Sequence, residues 1–272
     1  MKPAPLDYFR VDSSEEACAL LAEYGEQASV LAGGQSLMPM LNMRLAQPRA
    51  LIDVARAEDL AEARTEDAML RIGAAVTQAA VERRSRLTQE VPLLAQALPH
   101  IGHYQTRNRG TVCGSIAHAD PSAELPLCLA VLGGQIGLRS ASGRRTLAAA
   151  EFVRGPLTTA RKADELVEHV RFPLSRPGER HGFTEVAMRH GDFAIVSLAA
   201  VVHSKGICLG VGGVADRPWV QRWPPLAGND LDDALNQLAW DLGARDDVHA
   251  SAAYRRHLVR GLGKKLIGEL QQ

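Results

Sequence analysis

Apolar positions along this chain alternate between a helical rhythm and a strand rhythm, and the switches are marked by glycine and proline. Ala17, Leu20 and Leu21 fall on one face of a helix that Ser13 or Ser14 can cap, with Glu15 and Glu16 in its first turn. The run from Ser29 to Ala32 reads as a strand stopped by Gly33-Gly34. Pro39 to Leu45 is a short mixed segment, and Ala50 to Val54 is a second strand. The pattern then restarts with a strand over Ala68 to Gly73, a helix from about Thr77 to Arg84 and another from about Pro92 to Leu98.

A long turn leads into Thr111 to Ala117. Pro121 and Glu124 mark the start of a buried helix through Leu127, Leu129 and Val131, which Gly133-Gly134 ends. Gln135 to Arg139 and Arg144 to Leu147 form a hairpin around Ser142-Gly143, and Glu165 to Phe172 is a strand stopped at Pro173. Ser175 to Arg180 is the best linker. Beyond it, Phe183 to Met188, Ile195 to His203 and Ile207 to Val214 have strand character, the last two pairing around Ser204-Lys205-Gly206. Helices over about Leu231 to Gly243 and Ala250 to Leu270 close the chain. The organisation predicted is three α/β pieces, 1–57, 58–176 and 177–272, the third strand-rich and then helical.

Composition narrows the partner. With 46% hydrophobic residues, the chain can build proper cores. Equal counts of acidic and basic residues, 31 each, argue against nucleic acid or an anionic membrane as a dominant partner. No apolar run is long enough to span a bilayer, and Met1 to Pro5 lacks the apolar segment of a signal peptide, so the expected location is the cytoplasm. Cys18, Cys113, Cys128 and Cys208 stand far apart with no Cys-x-x-Cys pair, which disfavours an iron–sulfur cluster or a structural zinc held by this chain alone. Buried free thiols are the expected state, and at Cys113 an incidental small side chain is favoured over a reactive thiol.

Two glycine turns carry the candidate chemistry: Ala32-Gly33-Gly34-Gln35-Ser36-Leu37, and the stretch from Arg107 to Pro126 that contains Gly110-Thr111-Val112-Cys113-Gly114-Ser115. Glycine lets the backbone approach closely and take positive φ, so consecutive N–H groups can converge on an anion. Ser36, Thr111 and Ser115 add hydroxyls, and Gln35 adds an amide. Neither turn has the G-x-G-x-x-G spacing or the Gly-Lys-Ser/Thr ending of a P-loop, so a nucleoside triphosphate is disfavoured. Together the turns favour one dinucleotide held from two sides.

Leu31 to Pro39, Arg107 to Pro126 with its Ala-His-Ala-Asp-Pro segment, and Phe183 to Val196 resemble the FAD-binding medium subunit of the molybdenum hydroxylases, the xanthine dehydrogenase and carbon monoxide dehydrogenase flavoprotein family. The resemblance covers nearly the whole chain. It implies an α+β fold, with two α/β subdomains of the PCMH/VAO-type FAD-binding fold and a C-terminal α+β domain of antiparallel sheet and helices. It also implies a noncovalent FAD between the first two subdomains, its pyrophosphate over both turns. By position, Leu31, Ala32, Gly33, Gly34, Gln35, Ser36 and Leu37 contact the cofactor, as do Thr111, Val112, Cys113, Gly114 and Ser115, with Gly102 nearby. Glu124 stands where the family places an acid that binds a flavin or sugar hydroxyl, Val170 lies against the ring, and Glu185 stands where several members have a lysine.

The second turn departs from the family's Thr-Ile/Leu-Gly-Gly pattern at Cys113, which is tolerable only if Cys113 has an ordinary negative φ. His118 and Asp120 read either as polar neighbours of the ring or as a satisfied loop residue and a helix cap, with the second favoured. Arg189 and Asp192 read as a structural pair, and Arg255, Arg256, Lys264 and Lys265 as a solvated helix face.

No acid–base constellation for substrate chemistry stands out. The resemblance therefore implies an oxidoreductase subunit without its own substrate site: substrate, an N-heterocycle or aldehyde among the candidates, is oxidised at molybdopterin on a large subunit. Electrons pass through two [2Fe-2S] clusters on a small subunit to FAD and on to an external acceptor, in a dimer of heterotrimers. The rivals are a stand-alone flavin oxidoreductase using NAD(P)H and a flavin-binding assembly protein without turnover.

Overall fold

The computed structural model describes residues 2–272. Strands β1 (Asp7–Arg10), β2 (Ala28–Leu31) and β3 (Ala50–Asp53) form a parallel sheet in the order β1-β3-β2. Between β1 and β2 runs the helix Ser14–Tyr24, capped by the Ser13 hydroxyl, which accepts from the Glu16 N–H. Its buried Ala17, Cys18 and Leu21 also pack towards the next sheet, where the Cys18 thiol donates to the Arg139 carbonyl. The segment after β2, read from sequence as mixed, is the helix Leu37–Asn42.

The second sheet is antiparallel. It comprises β4 (Ala63–Glu66), β5 (Met69–Gly73), β6 (Gln135–Ser140), β7 (Gly143–Ala148) and, beyond the small β8 (Val153–Gly155) and β9 (Thr158–Thr159) pair, β10 (Leu166–Pro173), in the order β4-β5-β10-β6-β7. The stretch before Thr111, expected to be a long turn, holds the short helix Tyr104–Arg109, and the segment it leads into is the helix Val112–His118. The hydrogen bonds from Gln78 N–H to the Gly110 carbonyl and from Val112 N–H to the Val76 carbonyl fix the second of these against the strand exit of β5.

Strands β11 (Arg180–Ala187), β12 (Ala194–His203), β13 (Gly206–Gly212) and β14 (Trp219–Trp223) pair antiparallel in sequence order. β12 is buried along nearly its whole length, and apolar there but for Ser197, because both of its faces are covered. Val196, Leu198, Ala200 and Val202 pack with the helices Gly228–Asp241 and Ala252–Gln271, while Ala199 and Val201 join the core of the first two sheets. Between that core and the third sheet lies the apolar helix Glu124–Leu132, ended by Gly133 at φ 68°. It presses so closely on β13 that a β-carbon on Gly210 would be 2.2 Å from Val131 Cγ2. This packing fixes Glu124, the first residue of that helix, where the second and third sheets meet. Among the described residues no helix is long and apolar enough to cross a membrane.

Candidate cofactor site

The two glycine turns face one cavity of about 1000 Å³. In the first turn the chain leaves β2 at Leu31 and reverses through Gly34, whose φ of 70° is in the left-handed region. The Met38 N–H donates to the Gly34 carbonyl, and the Gln35 side-chain amide donates to the Gly33 carbonyl. Five consecutive backbone N–H groups, from Gly33 to Leu37, have no acceptor among the described residues. Ser36 precedes the following helix without using its hydroxyl as a cap.

The second turn works differently from expectation. Gly110 has φ −59° and Gly114 lies inside a helix, so neither supplies positive φ. Thr111 caps that helix by accepting from the Gly114 N–H at 3.0 Å, and the free donors it leaves are the N–H groups of Thr111 and Cys113. Cys113 has helical backbone, as its place in the motif requires, and the left-handed residue of this segment is Ala119 at the helix end, φ 53°. The Cys113 thiol donates to the Ile72 carbonyl, and complete burial pushes its pKa up to about 12, which makes it an inert packing group.

Ala32 through Leu37, Gly102, Thr111, Cys113, Gly114, Ser115 and Glu124 all line the cavity. Four of the residues singled out from sequence do not. Leu31 borders a smaller notch on the outer side of the first turn, with Met38 and Arg109. Val112 and Val170 are fully buried in the core beneath the cavity. Glu185 lies behind the wall, its side chain 5% exposed and its Oε1 3.2 Å from His100 Nδ1. That contact raises the pKa of His100.

Glu124 itself is buried, and among the described residues no cation is paired to it. Burial, the largest influence, pushes its carboxyl up to about 7. His118 and Asp120 line the cavity too, but Asp120 does not cap the helix as expected: the cap position is Ala123, and Asp120 instead accepts from the Ser122 N–H at 2.8 Å. Arg189 and Asp192 form the anticipated pair, at 3.1 Å.

Sequence reasoning missed the walls contributed by Leu157 and Arg161, by the loop Met188 to Ala194, and by Asp247 and His249. Arg255 is a correction. Read as part of a solvated face, it is buried and lines the cavity, donating to Asp247 Oδ2 at 2.8 Å and to the Arg245 carbonyl. An arginine in an amphipathic helix carries no local sign of such pairing; the acid it meets eight residues earlier in an irregular segment was the one available clue. The other three residues are surface groups: Arg256 lies over the Trp240 ring, and Lys264 and Lys265 pair with Asp232 and Glu269.

These features suit a large, anionic, hydrogen-bonding ligand. The free N–H groups recognise negative charge with backbone dipoles, and the buried Gln78 Oε1, without a partner at the cavity wall, is an acceptor awaiting a donor.

The sequence matches the family described as FAD binding domain in molybdopterin dehydrogenase over residues 4–175, and the CO dehydrogenase flavoprotein C-terminal domain over residues 181–270. The nicotine 6-hydroxylase medium subunit of Paenarthrobacter nicotinovorans is 36% identical over 283 residues, covering 99% of this chain and 98% of that protein. Among solved structures, carbon monoxide dehydrogenase from Hydrogenophaga pseudoflava superposes with a TM-score of 0.93 at 28% identity, covering 100% of this chain and 99% of that one. Quinoline 2-oxidoreductase from Pseudomonas putida 86 superposes with a TM-score of 0.91 at 30% identity, covering 99% and 98%.

Proposed function

The chain belongs to the FAD-binding medium subunits of the molybdenum hydroxylases, oxidoreductase complexes, and from that premise we propose that it receives electrons from [2Fe-2S] clusters of a small partner subunit and passes them to an external acceptor. The convergence of the two glycine turns on one cavity is the observation that carries this reading. When bound, FAD supplies the redox chemistry by accepting and releasing electrons. The protein's share is binding, orientation and control of charge. The N–H groups of Gly33 to Leu37 and of Thr111 and Cys113 hold the pyrophosphate from two sides, the Ser36 and Ser115 hydroxyls complete the cradle, and Gly102 leaves room beside it. Leu31, Val112 and Val170 act from behind, as the packing that fixes the cradle and wall. Glu185 likewise acts indirectly, through the charge it shares with His100.

Residues 1–57 and 58–176 supply the two sides of the cradle, and 177–272 close the cavity through the loop Met188 to Ala194. Substrate is oxidised at a molybdopterin centre on a large partner subunit, in a dimer of heterotrimers in the cytoplasm. An aromatic N-heterocycle is the substrate class favoured, because relatives similar along the full length include a nicotine 6-hydroxylase medium subunit, and a closely superposing structure is a quinoline oxidoreductase. The test is purification of the chain expressed with its neighbouring genes. Co-elution of FAD, molybdenum and iron–sulfur polypeptides, with turnover of an N-heterocycle, is expected. A flavin-loaded monomer that oxidises NADPH unaided overturns the reading.

A further inference from the structure

Glu124 lies in the cavity wall, within the electrostatic reach of a cluster of titratable side chains. It is 7% exposed and lines the cavity. Facing it are Glu185 and His100 from behind the wall and Asp120 from the preceding loop. Glu185 is bound through Oε1 to His100 Nδ1 at 3.2 Å, while its Oε2 is buried without a partner. The His100 side chain is 35% exposed. Its ring centroid lies 5.2 Å from that of Phe183 and 6.4 Å from that of His190, and His190 lies 6.4 Å from His103, both at the surface.

With the carboxylates of Glu185 and Asp120 both acting on it at a buried site, Glu124 cannot stay ionised at low cost when more negative charge arrives in the cavity. Among the described residues Glu124 has no ion-pair partner to hold it ionised, and burial already brings its carboxyl to about 7. It is the group that yields.

Resting on the cofactor reading above, we infer that Glu124 is the proton acceptor of the cavity, binding one proton for each electron pair that the bound flavin gains. The balance is two electrons from a one-electron donor such as a reduced iron–sulfur cluster, one proton to the flavin and one to the Glu124 carboxylate. Oxidation by the external acceptor returns both protons to solvent. His100 and Glu185 are positioning residues in this scheme: they set the charge around Glu124.

The test is a spectroelectrochemical titration of the full-length chain loaded with FAD, from about pH 6 to about pH 9. In a two-electron couple each bound proton shifts the midpoint potential by about 30 mV per pH unit. Above neutral pH the wild-type potential therefore falls by about 60 mV per pH unit, and that of Glu124→Gln by about 30 mV. Equal slopes in the two proteins overturn the inference and leave the cofactor reading intact, whereas a wild-type chain that takes up no FAD overturns that reading and the inference with it. If Glu124→Gln does not retain FAD, the same titration on Glu185→Gln decides. With one negative neighbour removed, its steep region moves to lower pH than in wild type, and an unmoved steep region overturns the inference.

Discussion

The backbones of Gly33 and Arg109 touch: a β-carbon at Gly33 would lie 2.3 Å from the Arg109 carbonyl oxygen and 2.6 Å from the Gly110 α-carbon. The two glycine turns, 76 positions apart by these residue numbers, are therefore one built surface rather than two independent loops. Gly33 is required for close approach and Gly34 for its left-handed backbone, two separate reasons for adjacent glycines.

Gly33→Ala forces backbone apart from backbone, which no side-chain rotation can relieve. It is expected to cost about 1–3 kcal/mol of stability, as overpacking does. Gly34→Ala meets only the Leu31 and Met38 side chains at 3.1 Å and loses about 1 kcal/mol, mainly from its positive φ. Urea unfolding of the two variants measures this order, and a Gly33→Ala protein as stable as wild type contradicts the contact.

Strands with one buried face and firm stops were legible in the sequence, as were the hairpin of β6 and β7 and the pair β12 and β13. The strands that went unseen are polar or exposed: β1 reads Asp-Tyr-Phe-Arg, β4 Ala-Arg-Thr-Glu, and β14 is an edge strand with Trp219 partly open to solvent. Edge strands need no apolar alternation, so the period-2 signal is missing where it would be sought. The helix Tyr104–Arg109 hid for the same reason, since none of its six residues is buried. At the site, the motifs located both turns and Glu124. They could not reveal Arg161, Phe193 or Arg255, which reach the cavity only through tertiary packing of segments far apart in the chain.

The raised pKa of Glu124 makes its contribution to stability run opposite to that of an ion-paired carboxylate. The unfolded chain releases this proton near 4.5 and the folded chain near 7. Its contribution is complete below about pH 4.5 and is lost as pH rises through about 7, after which the dependence is flat. At about 1.4 kcal/mol per pH unit of separation, the loss is about 3 kcal/mol. The FAD-free Glu124→Gln protein, compared with wild type by urea unfolding, should gain on it from about pH 4.5 to about pH 7 and hold a constant advantage above that. A difference that does not vary with pH contradicts the burial assigned to this carboxyl.

Burial raises the thiol pKa of all four cysteines, Cys18, Cys113, Cys128 and Cys208. The thiolate is the reactive form. Iodoacetamide at about pH 8 should therefore modify the native protein slowly and the urea-unfolded protein at every cysteine. Rapid native labelling at Cys113 contradicts its placement as an inert group donating to the Ile72 carbonyl.

The central claim is that one dinucleotide spans both glycine turns, and comparison of FAD with FMN tests it most directly. FMN keeps the ring but has neither the pyrophosphate nor the adenosine. Fluorescence titration of the full-length chain should show FAD binding at one site per chain and FMN at least about a hundredfold weaker, a difference of about 3 kcal/mol. Equal affinity for the two, or no binding of FAD, contradicts the account.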